Sequence, residues 1–576
     1  MATGLVTPSP GRWLEDAGAS FGYRGTVGGL FWYPRLLEVY TLPENKYDFR
    51  TSRSSEDPVV YLVGAGPGDP GLMTQNGVAA LRRAAVVIYD ALANPALLDL
   101  CPEDCERIFV GKSATHHTLT QDRINDLLVE QAQKILSQYG PGQRVVVRLK
   151  GGDPYIFGRG GEEGQYLAAA GIAFAVIPGI TSGLAGPAYA GIPVTHRELT
   201  STVTLITGHE QEKAGGWTEE ATPRVNYKAM ASLGGTLVFY MGVKNLPEIC
   251  ESLMEHGLSG QTPAAVIRQA TLPQQQVVVG VVADIAQLAR EAGIKPPAIT
   301  IIGQVVNLRD TLNWFESRPL FGITVLVTRT RQQAGALTSQ LTQLGARVLE
   351  APTIEIVESQ DKAGVDAALK NIATMDCVVF TSSNGVEAAW NRLRILGLDS
   401  RALPAKVAAV GTATAAALER IGIMADILPE EFIGEKLGIG LRQHFGTDGL
   451  AGCKVLLLRA DIARPVLKEQ LEQAGAKVTD VPIYQTRAPA ALPAEVLTAL
   501  AAGEIQWITF TSASTARNLH ALLPDHIRPM VRAVRRLSIG PITSAALHEL
   551  DWPPTVEAAR HDIVGMIQAL LVAIER

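Results

Sequence analysis

The sequence predicts an α/β protein made of two unlike parts, and two observations carry that reading. From residue 58 to about 309, short β-branched runs alternate with alanine-rich, helix-like segments, the pattern of strands joined by crossover helices. From 322 onward the chain repeats itself at a shift of 130 residues, which predicts two like lobes with a binding cleft between them. With 576 residues, 47% hydrophobic and 19% charged, the chain has material for about four domains at roughly 100–200 residues each.

Bulk properties narrow the function classes. A net charge of −6 argues against a nucleic-acid partner, whose binding domains carry a basic excess. No apolar run approaches the roughly 18 residues of a membrane span. No basic stretch leads into an apolar core at the start, so a cytoplasmic location is expected. The five cysteines are too scattered for a disulfide framework. Cys101 and Cys105, with His116 and His117 nearby, would be the only start of a metal site. Two small buried thiols are the preferred reading, and no metal is expected. Residues 1–57 show no sustained period and end in a polar run from Arg50 to Asp57, which reads as a disordered extension. The aromatic cluster Phe31-Trp32-Tyr33 within it is assigned no chemistry.

In the first part, the strand-like runs are Val59–Val63, Ala85–Tyr89, Val145–Leu149, Phe174–Ile177, Thr236–Tyr240 and Ala264–Ile267. They exit into Gly64-Ala65-Gly66-Pro67-Gly68-Asp69, Asp90, Lys150-Gly151-Gly152-Asp153-Pro154, Pro178-Gly179-Ile180-Thr181-Ser182, Met241-Gly242 and Ala270-Thr271. Small and polar residues at the carboxyl ends of strands mark a ligand site in an open α/β sheet. The first exit fails as a dinucleotide loop. Asp69 replaces the third glycine of G-x-G-x-x-G, and Pro67 removes an N–H that a pyrophosphate would use. The loop suits a ligand without phosphates, such as S-adenosylmethionine (SAM). Lys213–Met230 reads as a surface loop, and Asp310–Phe321, with Trp314 and Pro319, as a linker.

In the second part, Val325-Leu326-Val327 matches Val455-Leu456-Leu457, Gly345-Ala346 matches Gly475-Ala476, and Pro352 matches Pro482. Phe380-Thr381-Ser382 matches Phe510-Thr511-Ser512 in the same register, and Val410-Gly411 matches Ile539-Gly540 one residue off it. Four landmarks in one register, with a fifth one residue off it, identify a duplication.

Taken together, Val63–Pro70, Tyr89–Leu92, Gly111-Lys112, Arg148–Pro154, Pro178–Ser182, Gly191–Arg197 and Thr207–His209 closely resemble the tetrapyrrole methylases. Within that family the resemblance is to uroporphyrinogen-III C-methyltransferases, and it covers about 58–309. It implies two α/β domains with SAM and the macrocycle in the cleft between them. It places SAM against Pro67, Gly151, Gly152, Asp153, Ile156, Thr181, Ser182, Met241 and Ala270, where relatives often carry glycine at the last position. By the same resemblance Asp90 is the proton acceptor and Lys112 the proton donor. Methyl transfer to a pyrrole carbon leaves a cation that must lose a proton, so positioning and a base are the chemistry required. Uroporphyrinogen carries eight carboxylates, and Arg148, Lys150, Arg159 and Arg197 are the expected clamps. Methylation at C2 and C7, giving precorrin-2, and a homodimer through this half are further implications.

Val325–Arg329, Phe380–Gly385, Val410–Thr414, Val481–Thr486, Phe510–Ser512 and Ile539–Thr543 resemble uroporphyrinogen-III synthase in type and order, over about 322–576. The resemblance implies cyclisation of hydroxymethylbilane without a cofactor. It also implies lobes that exchange strands, one of 322–354 plus 488–576 and one of 355–487. Tyr484 is its expected acid or orienting group. Thr381, Ser382, Thr412, Thr511, Ser512 and Thr543 are expected to meet substrate carboxylates, by hydroxyl or through the free N–H groups of helix starts. A methyltransferase carrying a non-catalytic tetrapyrrole-binding module is the alternative.

Overall fold

The computed structural model describes residues 57–111, 119–140, 143–208, 225–328, 331–404, 406–429, 450–463 and 465–575, with positions 437, 440, 441, 444 and 445 between. The extension before Asp57, Lys112, His116, His117, His209 and Arg329 lie outside the described residues.

Four five-stranded sheets organise the chain. The first comprises β1 (Val60–Gly64), β2 (Ala84–Tyr89), β3 (Glu106–Phe109), β4 (Val145–Lys150) and β5 (Phe174–Ile177), all parallel in the order β3-β2-β4-β1-β5. β4 is buried at all six positions, as expected for an inner parallel strand covered on both faces. Helix Gln121–Tyr139 shows how such cover forms. Thr120 caps its start by accepting from the Arg123 N–H, and Gly140, at φ +75°, ends it. Between them Ile124, Leu128, Ala132 and Ile135 recur at helical spacing and are buried, each large aliphatic contributing about 1.5–3 kcal/mol.

The second sheet comprises β6 (Val203–Thr207), β7 (Thr236–Tyr240), β8 (Pro263–Arg268), β9 (Gln276–Val281) and β10 (Ala298–Ile302), ordered β6-β7-β10-β8-β9. Only β6 and β7 are parallel here; the other three pairings are antiparallel. The all-parallel expectation fails because β8 returns directly into β9 through the turn at 269–275, with Arg268 opposite Gln276, and a short turn can join only antiparallel strands. The expected loop at 213–230 is also corrected in its described part. Tyr227–Leu233 is a helix capped by Asn226, and Tyr227 and Met230 pack on the core around Leu237 and Phe239.

The remaining strands are β11 (Thr324–Val327), β12 (Arg347–Glu350), β13 (Glu355–Glu358), β14 (Cys377–Phe380), β15 (Val407–Ala409), β16 (Lys454–Ala460), β17 (Lys477–Arg487), β18 (Trp507–Phe510), β19 (Arg535–Ser538) and β20 (Val556–Glu557). They form one sheet ordered β12-β11-β18-β19-β20 and another ordered β13-β17-β16-β14-β15. The repeat aligns β11 with β16, β12 with the start of β17, β14 with β18 and β15 with β19. The four aligned strands therefore share one order in both sheets, two coming from each copy of the repeat, while the fifth is added at opposite ends, β20 beside β19 and β13 beside β17. The copies are interleaved, so neither can complete a sheet alone.

Residues 310–321 are packed, not free. Arg309–Leu312 is helical, Phe315 and Leu320 are buried, and Trp314 stacks on Tyr189 with centroids 5.0 Å apart. Among the described residues no helix is long and apolar enough to cross a membrane.

Candidate active sites

The exits of β1, β4 and β5 meet at a point where only glycine fits. A Cβ on Gly64 would lie 2.4 Å from the Gly179 nitrogen and 2.7 Å from the Gly152 oxygen. Gly66 and Gly152, at φ +76° and +68°, are tied by N–H···O bonds of 3.2 and 2.7 Å. The Asp153 carboxylate braces the turn by accepting from the Tyr155 and Gly179 N–H groups at 2.8 and 3.0 Å. Gly151 is equally confined, its Cβ position 2.5 Å from the Leu92 Cβ. The carboxylate of Asp69 is also engaged. It accepts from the Gly71 N–H at 2.8 Å and the Tyr189 hydroxyl at 3.1 Å, so it orders the loop locally.

The second sheet closes on this point from the other side. Tyr240, the last residue of β7, accepts from the Gly183 N–H at 2.9 Å and shares a 2.8 Å hydrogen bond with Thr181 Oγ1. Burial raises its phenol above the ordinary range. Met241 follows at φ +55°, half exposed at 52%. Ala270 is buried, and its carbonyl oxygen lies 3.2 Å from the Cβ position of Gly68. Thus Pro67, the 151–153 turn, Thr181, Met241 and Ala270 lie on loops at these strand ends, Ser182 opens the helix that follows Thr181, and Ile156 packs beside the second core. Leu92, Tyr155, Phe157 and Ile180 on the same loops, and Leu184 in the helix after Thr181, are exposed apolar side chains.

Asp90 follows β2 and is partly exposed, its side chain at 25%. One oxygen accepts from the Leu92 N–H at 3.1 Å and the other from Arg148 Nη2 at 3.3 Å. Here two expected clamps are corrected. Arg148 and Lys150 project from β4 into the interior, 3% and 4% exposed, and converge on one oxygen of the fully buried Glu163 at 3.1 and 2.8 Å. Charges so buried and paired are not presented to a substrate. Burial and the neighbouring Arg148 cation hold the Lys150 ammonium below its usual range. Arg159 remains at the surface and pairs with Glu162 at 2.7 Å, and Arg197 is exposed in the 196–200 turn. Cys101 and Cys105 are buried thiols. Among the described residues no three His, Cys, Asp or Glu side chains form a cation-binding group.

In the second part, helices Ser383–Ile395, Thr412–Arg420, Ala513–Leu522 and Pro541–Glu549 start where β14, β15, β18 and β19 end. Their first N–H groups lack intrahelical acceptors and suit anions. Ser382 caps the first helix by accepting from the Gly385 N–H at 3.0 Å and shares a 3.0 Å hydrogen bond with the Tyr484 hydroxyl. Tyr484, near the end of β17, is 6% exposed, and burial lifts its phenol above the ordinary range. Thr381 precedes that cap, and Thr412 is exposed in the first turn of its helix. Ser512, at the position equivalent to Ser382, forms a capping box with Thr515 and follows Thr511. Thr543 departs from expectation. It is 3% exposed and its N–H already donates to the Gly540 carbonyl at 3.0 Å, so neither its hydroxyl nor its N–H is presented at the surface.

Tyr240, Tyr189, Glu163 and Gln275 escaped the sequence reading. Only Tyr240 carried a signal, as a large aromatic at the tip of a strand whose neighbours' exits are small.

Comparison with known proteins follows this division. A family model for tetrapyrrole (corrin/porphyrin) methylases matches residues 59–286, and one for uroporphyrinogen-III synthase HemD matches 335–568. The porphyrin biosynthesis protein HemD of Ruminiclostridium josui is 37% identical over 90% of this chain and 98% of its own. The uroporphyrinogen-III C-methyltransferase of Bacillus subtilis (strain 168) is 41% identical over 64% of this chain and 72% of its own. The S-adenosyl-L-methionine-dependent uroporphyrinogen III methyltransferase of Methanosarcina barkeri is 51% identical over 44% of this chain and 94% of its own. With both family models matched in order and a relative aligned along nearly its whole length, the chain belongs to the family in which a tetrapyrrole methylase is fused to a uroporphyrinogen-III synthase.

Proposed function

We propose that the two parts perform consecutive steps on one macrocycle. The C-terminal part closes hydroxymethylbilane into uroporphyrinogen III, and the N-terminal part methylates that product. The single observation that carries this reading is the presence of both family units, in this order, in one chain. The division follows as 58–309 for the methyltransferase, 310–321 for the junction and 322–576 for the synthase, in lobes 322–354 plus 488–576 and 355–487. A cytoplasmic location and a homodimer through the methyltransferase belong to the same reading.

The N-terminal loops fit S-adenosylmethionine. Gly66, Gly68 and Gly152 have positive φ and lack side chains, leaving backbone free to approach a ligand, and Asp69 sets a negative charge where a pyrophosphate would need donors. The cofactor supplies an electrophilic methyl group. The protein's own task is to hold it and the pyrrole carbon in line. The exposed apolar side chains around the cleft suit the pyrrole faces of the macrocycle, and Arg159 and Arg197 its carboxylates. Asp90, oriented by Arg148 and the Leu92 N–H, takes the proton the ring must lose, at the oxygen facing Arg148. The products are methylated at C2 and C7, giving precorrin-2.

In the C-terminal part, Tyr484 donates toward the departing hydroxyl of hydroxymethylbilane while Ser382 fixes its ring. The helix starts after β14, β15 and β18 take carboxylates and hold the chain in its closing shape. Purified protein given hydroxymethylbilane, with and without SAM, tests both steps. Uroporphyrinogen III without SAM and a dimethylated product with it are expected. Formation of only uroporphyrinogen I, the uncatalysed product, would leave the C-terminal part a binding module. Recovery of unmethylated uroporphyrinogen III in the presence of SAM would refute the N-terminal assignment.

A further inference from the structure

We infer that the junction between the two parts is a positioning element of the methyl-donor site, with Glu316 and Gln275 as its working residues. The inference rests on the methyltransferase reading above. It starts from Thr271, a β-branched residue held at φ +69° and 2% exposed. That conformation is sterically unfavourable for a β-branched residue and persists only where surroundings impose it. Two hydrogen bonds impose it here. The Thr271 N–H donates to Gln275 Oε1 at 3.0 Å, and Thr271 Oγ1 accepts from the Asp69 N–H at 3.0 Å. Thr271 thereby ties the loop after β8 to the glycine loop after β1, and its Oγ1 sits 3.1 Å from the Cβ position of Gly68.

Gln275 can hold Thr271 only with its oxygen facing it, and the junction sets that orientation. Gln275 Nε2 donates to Glu316 Oε1 at 2.8 Å and to the Tyr189 carbonyl at 3.2 Å. A flipped amide would set its NH2 against the Thr271 N–H and its oxygen against the Glu316 carboxylate and the Tyr189 carbonyl, three repulsions in place of three bonds. Glu316 is itself held by Arg309, at 2.5 Å, with both side chains largely buried. The Tyr189 hydroxyl completes the ring of contacts by donating to Asp69 at 3.1 Å.

Four residues beyond Glu316, the chain is anchored in the other half. Leu320 is fully buried beside Val325 and Leu341, and its N–H donates to the Leu344 carbonyl at 2.9 Å. Between these points Arg318 lies over the Trp314 and Phe315 rings at 4.8 and 4.7 Å. The segment that holds Gln275 is thus clamped from both sides, and the donor-site loop is oriented partly by the synthase half.

The test uses the full chain with S-adenosylhomocysteine as probe. Glu316→Ala and Gln275→Glu, the latter setting carboxylate against carboxylate, should each weaken binding by about tenfold, equivalent to about 1.4 kcal/mol. The KM for SAM should rise in step, while the KM for uroporphyrinogen III and hydroxymethylbilane turnover stay near the parent values. Glu316→Gln keeps an acceptor for Gln275 and should retain most of the affinity, a rescue that general destabilisation would not produce. Parent-like affinity in Gln275→Glu, or equal losses in Glu316→Gln and Glu316→Ala, overturns the inference. If Glu316→Ala fails to fold, the contrast between Gln275→Glu and Glu316→Gln decides alone. A parent chain that does not bind S-adenosylhomocysteine refutes the methyltransferase reading itself.

Discussion

Replacing Asp90 by serine separates the two things its carboxylate does. Serine keeps an oxygen that can accept from the Leu92 N–H, the 3.1 Å bond that shapes the turn after β2. It removes the charge facing Arg148 and the basic oxygen proposed to take the ring proton. The structural loss is bounded, because Arg148 still donates to Glu163 at 3.1 Å and to the Leu149 carbonyl at 3.1 Å. One charge-assisted hydrogen bond to a partly exposed carboxylate is lost, about 1–2 kcal/mol of stability. A general base is worth about 10²–10⁴ in rate, or about 2.7–5.4 kcal/mol of barrier. The kinetic effect should therefore exceed the effect on folding. Single-turnover methyl transfer with saturating SAM measures the first and thermal unfolding the second, with calorimetry showing unchanged S-adenosylhomocysteine affinity. A folded Asp90→Ser chain that methylates within about twofold of the parent rate would falsify the base assignment. Asp90 would then be a turn residue only.

Gly64→Ala should lower the unfolding temperature and abolish cofactor binding together. Its Cβ would stand 2.4 Å from one backbone and 2.7 Å from another, an overpacking of about 1–3 kcal/mol or more; cofactor affinity matching the parent's would show that the three-glycine contact is dispensable. Tyr484→Phe should slow cyclisation by about 10²-fold with a stability loss of only about 1 kcal/mol, since Ser382 keeps its bond to Gly385. Because burial raises the Tyr484 phenol, the group stays protonated past the ordinary tyrosine range near about pH 10. Cyclisation that continued undiminished once the Tyr484 phenol had ionised would contradict that donor role. A chain cut after residue 309 should melt lower and bind S-adenosylhomocysteine more weakly than one cut after 318, which keeps Trp314, Phe315 and Glu316 on Tyr189 and Gln275. Equal behaviour of the two would show the junction to be a passive tether.

Much of the fold was legible because its determinants are local. The strands at β1, β2, β4, β5, β7 and β8 are short β-branched runs bounded by glycine and proline, and their ends were placed within a residue or two. Glycine in the 64–68 and 151–152 turns marks positions where a Cβ would strike a neighbour, as at Gly64 and Gly151, or where φ is positive, as at Gly66 and Gly152, a constraint visible without knowing the partner. The 130-residue register reappears directly in the paired strands of the last two sheets. The strands β3, β6, β9 and β10 lie outside those runs, since stretches of four to six residues carry no period that separates a strand from an apolar helical segment.

The sequence by itself determined the class of fold, the duplication and the loops that form the sites, since each is written in periodicity or in residues with special backbone freedom. It could not determine which charged side chains face the ligand. Arg148 and Lys150 sit beside an exit loop in the chain, yet strand alternation and the helix at 160–169 turn them onto the fully buried Glu163, 15 and 13 residues further on. Nor could it show that Glu316 reaches Gln275, 41 residues away, or that each lobe draws strands from both repeat copies. These are pairings between segments, and pairing depends on where the chain returns in space. That return is decided by which apolar faces must be buried together, a property of the assembled core and not of any one stretch.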